Sequence, residues 1–261
     1  MVVGGFLTPI FIATGNNNQI ALFVYVLFLG AAILAVAFLK NWKELTLLGA
    51  LGTFAVFWRW YFLWYSADQL WMTLIFLTIF FVVYSTASLV YNLVKKESVV
   101  GWEQSFIVIV SLGYFIFGKV LLDDRYSDEG TSLLALGIAM YYIILSFTAK
   151  VLSPKDSALF SFLSVLSASF LAMAIYWQFD KSIITLGLTI EALLLIYIGL
   201  SSKQKLIEGL GLALGILAIL KLLLSDVFAY LDNYQVILNR TFVLFAVVAV
   251  ACYAAGYLYK N

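Results

Sequence analysis

Long, uninterrupted apolar runs constrain this chain more than any other feature of its sequence. Nine of these runs have the roughly 20 residues that a helix needs to cross the ~30 Å hydrocarbon core of a bilayer. Apolar residues follow one another without strict alternation, and the runs exceed the roughly 10 residues of a barrel strand. Because a helix satisfies its own backbone groups in lipid, the sequence predicts an all-α polytopic transmembrane bundle.

We predict ten helical segments, arranged as up-and-down hairpins in a single transmembrane domain over residues 1–261. They cover residues 2–14, 18–39, 42–65, 69–94, 102–122, 131–150, 156–177, 182–201, 204–225 and 237–259. The first segment would reach only about 20 Å. It predicts either a half-helix or the remainder of a helix from a longer protein, and we favour the second interpretation.

Composition supports lipid as the solvent and narrows the classes of function. The chain is 64% hydrophobic and 11% charged, whereas soluble domains are about 45–50% apolar and about 25% charged. Its net charge of +1 argues against a nucleic-acid partner. It has no histidine and one cysteine, Cys252, which removes metal, haem and general-base chemistry that depends on histidine. We therefore expect no cofactor and no metal, and an enzyme is the less favoured class.

The distribution of lysines predicts the orientation of the helices. The breaks after the second, fourth, sixth and eighth segments each contain two lysines, in LKNWKE, VKKES, AKVLSPKD and SSKQK. The opposite breaks are neutral or acidic on balance. Lysine-rich loops stay on the cytoplasmic side of a membrane, so we expect both ends of this chain to be cytoplasmic.

Two segments share a pattern that indicates internal duplication of a helical hairpin. LGYFIFGKVLLDD (112–124) and LGILAILKLLLSD (214–226) both place Lys six residues after Gly and Asp five residues after Lys. Chance similarity between two apolar helices of simple composition would also produce this pattern. The sequence leaves both interpretations open.

Four cations lie near the predicted outer ends of helices, where lysine and arginine are normally depleted. They are Arg59, Lys119, Lys221 and Arg240, and Lys221 stands about 7 Å along the helix from Asp226. In one interpretation each side chain extends separately to the lipid headgroups. In the other, the cations converge on an extracytoplasmic pocket that holds an anionic group.

Glu191 interrupts the apolar run KSIITLGLTIEALLLIYIGL near its middle, about 15 Å from the start of its helix. A charged carboxylate facing lipid there is unfavourable by about 2.5–3.5 kcal/mol. Three arrangements relieve this: a protonated carboxyl hydrogen-bonded to a neighbouring helix, an ion pair with a cation such as Lys221, Lys119 or Arg59, or exposure to a hydrated cavity. The sequence does not choose among them.

Several of these blocks resemble one family of membrane proteins. GGFLTP (4–9), EALLLIYIGL (191–200), LKLLLSDVF (220–228) and GYLYK (256–260) resemble segments of the predicted membrane proteins called DUF2339. The resemblance implies a polytopic protein of a bacterial inner membrane, with further N-terminal helices in longer members. It matches Glu191, Lys221, Asp226 and Arg240 to the family pattern without giving any of them a role, because the family is of unknown function.

The function we favour is a transport or translocation component for a small or lipid-linked anionic substrate. The outer cations would bind the anion, and Glu191 would couple to protons or gate the path. One alternative is an envelope enzyme that acts on a lipid-linked substrate with Asp123, Asp124 or Asp226 as bases.

The other alternative is a structural or assembly subunit whose partners are further transmembrane helices of the same longer protein or of a complex. Small residues spaced along one face of the seventh segment would then pack against a partner helix. These residues, the small-residue seam, are Ser157, Ser161, Ser164, Ala168 and Ala172.

Overall fold

A computed structural model of the chain describes residues 2–11, 18–40, 42, 44–95, 101–152, 156–179, 181–226 and 240–260. Within these ranges the secondary structure is helical, with no strand. The helices are α1 (Val2–Phe11), α2 (Gln19–Lys40), α3 (Glu44–Trp64), α4 (Leu70–Lys95), α5 (Gly101–Leu152), α6 (Ser157–Gln178), α7 (Lys181–Ser202), α8 (Lys205–Lys221) and α9 (Arg240–Lys260). The prediction of an all-α polytopic bundle is confirmed.

Nine segments of the described ranges are long and apolar enough to cross a membrane. Each of α2, α3, α4, α6, α7, α8 and α9 supplies one of them, and α5 supplies two, Trp102–Asp123 and Arg125–Leu152. The predicted helix ends at residues 12–14 and 237–239 lie outside the described residues.

The fifth and sixth predicted segments are confirmed as two helical parts of α5, which form the separate spans Trp102–Asp123 and Arg125–Leu152. A kink at Ser127, whose φ is 46° and ψ is −138°, separates the two parts, so the break is shorter than the predicted polar stretch 123–130. The polar sequence DDRYSDEG contains no proline and places its one glycine last, so nothing in it prevents helical turns on both sides of Ser127. The polarity of this stretch therefore does not by itself prevent helical turns.

The chain divides into two compact units, unit 1 (Met1–Leu122) and unit 2 (Asp123–Asn261). In unit 1, α1 packs against α2 and α3, while α2, α3 and α4 pack against one another. An aromatic cluster forms its core, in which the buried ring of Phe23 contacts Phe57, Trp60, Phe76 and Phe80. The interpretation of residues 1–261 as one domain stays a prediction.

In unit 2, α7 is the helix around which the others pack. It contacts α6, α8 and α9, and its contact with α8 is the most extensive. Hydrogen bonds from Ser132 to the Ala174 carbonyl (3.0 Å) and from Ser167 to the Ala139 carbonyl (2.9 Å) join the second part of α5 to α6. Such contacts between small polar residues and a neighbouring backbone are typical of helices packed in lipid.

Candidate functional site

The backbones of α7 and α8 approach each other closely because α8 carries a glycine at their contact. A Cβ placed on Gly211 would lie 2.8 Å from the backbone nitrogen of Ile196 and 2.9 Å from the carbonyl oxygen of Ala192. Gly215, four residues further along, faces the Ala192 side chain. Small residues at this spacing permit close helix packing in membranes. Here they bring α8 close to the middle of α7.

Glu191 lies at the middle of α7 and is only 5% exposed. Neither of its carboxylate oxygens has a hydrogen-bond partner among the described residues. Leu188 and Leu195, on the same side of α7 about one turn away in each direction, both belong to buried apolar clusters. The carboxyl group is therefore held in an apolar helix interface, and no cation of the described chain bonds to it.

Lys221 ends α8 and reaches across to α7. Its Nζ donates a hydrogen bond of 2.9 Å to Oγ1 of Thr185, a threonine with no exposed surface. Thr185 stands six residues before Glu191 on the same helix, a separation of roughly 9 Å along the axis. The Lys221 amine and the buried Glu191 carboxyl group thus lie at two different levels of α7.

The backbone changes character directly after Lys221. Leu222–Asp226 form a π-helical turn, a feature that often accompanies functional sites because it widens the helix and redirects its side chains. Leu222 is buried against Leu244 and Val248 of α9, which fixes the position of the turn. Lys221 therefore lies at the junction between the α-helical and the π-helical backbone.

The other predicted site residues fall in different parts of the chain. Arg59 is exposed on α3 and Lys119 is half-buried on α5, and both belong to unit 1. Asp226 and Arg240 belong to unit 2, and their side chains lie outside the described residues. A pocket shared by all four cations therefore stays a prediction, and the α7–α8 interface is the part of the site that has a described geometry.

The small-residue seam of α6 packs inside its own unit. Ala168 contacts Leu195 of α7 and Ile207 of α8 in one apolar cluster, and Ala172 packs against Leu188 in another. Ser161 donates a 2.6 Å hydrogen bond to the side-chain oxygen of Gln204. Three of the five seam residues thus contact helices of the same chain, whereas Ser157 is exposed.

Sequence reasoning missed two features of the two units. Thr185 was not identified as the partner of Lys221, although threonines at positions 185 and 189 are one turn apart and mark one polar face of α7. Glu103 was also overlooked; it is 2% exposed and lines a cavity of about 300 Å³ in unit 1. Its place in the first turn of α5 made it look like an ordinary residue of a helix start.

Groups of side chains that could hold a metal ion are absent from the described ranges, where no three His, Cys, Asp or Glu residues come together. Asp123, one of the bases of the enzyme alternative, is exposed, and the Asp124 side chain lies outside the described residues. A site built on Glu191 and Lys221 stays a prediction.

Comparison with known proteins identifies a matching family model. A family model described as "Predicted membrane protein (DUF2339)" matches residues 2–260, nearly the whole chain. No curated protein and no solved structure matches the chain.

Proposed function

The chain belongs to the DUF2339 family of predicted membrane proteins, and we propose that it is a transport or translocation component for a small or lipid-linked anionic substrate. We further propose a bacterial inner membrane as its location, with both ends of the chain in the cytoplasm. The lysine-containing breaks on one side of the bundle support this orientation.

The observation that carries the proposal is the Glu191 carboxyl group, which is buried at the middle of a spanning helix without a hydrogen-bond partner among the described residues. An ionised carboxylate in such a place would have no hydrogen-bond donor among the described residues, which is strongly unfavourable. The carboxyl group is therefore neutral in this conformation. Polar groups of this kind within membrane spans commonly mark the path of a substrate or proton.

Because Glu191 is neutral in this conformation, the protein can couple proton binding to a conformational change. In a second conformation, in which water reaches the buried side of α7, the carboxyl group loses its proton. Return to the closed conformation then requires that a proton be bound again, since the closed interface excludes the charge. The neutral carboxyl group favours the closed conformation and the ionised group favours the open one. Proton binding can shift the conformational equilibrium only because the two conformations bind the proton with different affinity.

Lys221 supplies the attraction for the anion. Its amine is half-buried and held by Thr185, so it is positioned before a substrate arrives. A phosphate or carboxylate group at this level would stand roughly 9 Å from the level of Glu191 along α7. Movement of a proton together with an anion lowers the net charge that crosses the hydrocarbon, because the two charges have opposite sign.

We would test this in proteoliposomes that enclose a pH-sensitive dye, with inorganic phosphate and a short-chain isoprenyl phosphate as probe anions. The wild-type protein should acidify the lumen when an anion gradient is imposed. Glu191→Gln should lose this acidification at least tenfold, because its amide carries no transferable proton. Lys221→Gln should raise the anion concentration required for half-maximal rate.

The matched control is Glu208→Gln, which removes a carboxylate near the start of α8 that accepts a hydrogen bond from Tyr259. This variant should acidify the lumen at the wild-type rate. Equal rates for wild type and Glu191→Gln would contradict the proposal, as would absence of wild-type acidification with both anions.

A further inference from the structure

The hairpin of α7 and α8 is tightest at the end where the chain turns from one helix to the other, which we call the turn end. A Cβ placed on Gly199 would lie 2.5 Å from the backbone nitrogen of Glu208 and 2.7 Å from its Cα. The backbone N–H of Gln204 donates a hydrogen bond of 2.8 Å to the carbonyl of Gly199 and closes the turn. The two helices are therefore in backbone contact at the turn end.

Neighbouring helices also hold the turn end in place. Ser161 of α6 donates a hydrogen bond of 2.6 Å to the side-chain oxygen of Gln204. The hydroxyl of Tyr259 in α9 donates one of 2.7 Å to the carboxylate of Glu208. The turn end is thus attached to both α6 and α9.

The separation between α7 and α8 increases away from the turn end. A Cβ on Gly211 would still lie 2.8 Å from the backbone nitrogen of Ile196. One helical turn further along α8, the atom of α7 nearest to a Cβ on Gly215 is the Cβ of Ala192, at 3.8 Å. Close backbone contact has thus been replaced by ordinary contact with a side chain.

Beyond Gly215, the described contacts between the two helices run through side chains. Leu188 of α7 and Ala218 of α8 belong to one buried apolar cluster. The Nζ of Lys221 donates its 2.9 Å hydrogen bond to Oγ1 of Thr185. Side-chain contacts of this kind can separate without any change in the backbone of either helix. We call this part of the hairpin the Lys221 end.

The π-helical turn gives α8 a place to bend beyond Lys221. Leu222, the first residue of this turn, packs against Leu244 and Val248 of α9, and Leu186 of α7 contacts the same cluster. Sharp bends in helices are common at π-helical turns. The angle of α8 can therefore change here while Leu222 keeps its place against α9.

We propose that α8 swings away from α7 about the turn end, so that the hairpin opens at Thr185 and Lys221 and stays closed at Gly199 and Glu208. The distance along α8 from Glu208 to Lys221 is roughly 20 Å, so a swing of about 10° moves Lys221 by roughly 3 Å. This movement breaks the hydrogen bond to Thr185 and makes room for a water molecule.

The inference rests on the proposed function, because it supplies the second conformation that proton release requires. Opening separates Leu188 from Ala218, which pack together in the closed hairpin. Leu188 lies about one turn from Glu191 on the same side of α7. Water that enters at the Lys221 end therefore reaches the buried side of α7 next to the carboxyl group.

Double electron–electron resonance on the full chain in lipid nanodiscs tests the movement. In a Cys252→Ala background, one spin-label pair at Ile183→Cys and Leu220→Cys reports on the Lys221 end. A second pair at Ile198→Cys and Leu206→Cys reports on the turn end, and all four labelled positions are exposed. We expect the first pair to show a second distance, longer by roughly 3 Å or more, and the second pair to show a single distance.

Lys221→Met separates this movement from general mobility of the helices. It removes the hydrogen bond to Thr185 and should raise the population with the longer distance at least threefold. The matched control is Lys205→Met, which removes an exposed lysine at the turn end of the same helix and should leave both distributions as in the wild type. Each variant would be compared by circular dichroism and gel filtration before labelling.

Equal populations of the longer distance in Lys221→Met and Lys205→Met would overturn the proposal. Equal lengthening at both spin-label pairs would also overturn it, because the hairpin would then not pivot at its turn end. These distances do not depend on transport. Opening without acidification of the proteoliposome lumen would support this inference and reject the proposed function, whereas acidification without opening would reject this inference alone.

Discussion

At the scale of single residues, the contact between α7 and α8 depends on the missing side chain of Gly211. A Cβ at this position would stand under 3 Å from two backbone atoms of α7, and backbone atoms cannot move aside as a flexible side chain can. Gly211→Ala should therefore lower the free energy of unfolding by about 1–3 kcal/mol. Gly209→Ala is the matched control, because a Cβ there meets nothing within 4 Å.

Thermal unfolding in detergent, followed by circular dichroism, measures this difference. Equal melting temperatures for the two alanine variants would mean that α7 and α8 do not pack as closely as described.

Tyr84 forms a buried polar contact inside unit 1. Its hydroxyl lies 2.8 Å from Oγ1 of Thr53, and both side chains are almost completely buried. Tyr84→Phe would leave the threonine hydroxyl without this partner and should cost about 0.5–1.5 kcal/mol of stability. Tyr253→Phe removes a hydroxyl from a side chain that is 80% exposed and should leave the melting temperature unchanged. A smaller loss in Tyr84→Phe than in Tyr253→Phe would contradict the contact.

The sequence was sufficient to predict the place of Glu191 at the middle of its helix, but not its surroundings. That place follows from counting residues along an apolar run, since the rise per residue is constant. The partner of Lys221 depends on how α7 and α8 are rotated about their axes. Helices with apolar residues on every side leave that rotation undetermined, so Thr185 could not be identified from the sequence.

At the scale of the helix, the lipid environment explains why the spans could be predicted. Hydrocarbon allows no unsatisfied backbone groups, so each long apolar run becomes a helix whatever its individual propensities. The polar stretch 123–130 is not an apolar run, so the same rule does not decide its structure. Helical turns form on both sides of a kink at Ser127.

Ser127 gives a prediction at this scale, because its φ of 46° lies in a region that residues with a side chain rarely adopt. Ser127→Gly should raise the free energy of unfolding by about 1 kcal/mol, through relief of this backbone strain. Ser201→Gly makes the same chemical change at an exposed helical position and should lower stability by about 0.5 kcal/mol. Chemical denaturation of both variants gives the comparison, and a loss of stability in Ser127→Gly would contradict the described break.

At the scale of the whole molecule, the direction of the chain through the membrane is a prediction that labelling can test. In a Cys252→Ala background, single cysteines would replace Asp68 and Lys203, both of which are exposed. The lysine pattern predicts opposite sides for these two positions. A membrane-impermeant maleimide should label Asp68→Cys in intact spheroplasts and Lys203→Cys only after permeabilisation. The reverse pattern would invert the predicted topology.

Hydropathy and charge predicted the class of molecule and its spans, but they did not predict how the helices group. The division into two units depends on which helical faces meet, and those faces differ little in polarity. The cavity beside Glu103 was likewise not predictable, because four separate segments of the chain form its walls. Helices in lipid associate through the fit between their side-chain surfaces. An apolar run of sequence gives little information about how those surfaces fit together.

The central claim is that Glu191 is a neutral carboxyl group buried in an apolar interface and able to release its proton when that interface opens. Dicyclohexylcarbodiimide is an apolar reagent that modifies protonated carboxyl groups, and mass spectrometry locates the modified peptide. The claim predicts modification at Glu191 that slows as pH rises, and no modification of this peptide in Glu191→Gln. An unmodified Glu191, or a rate that does not change with pH, would contradict it.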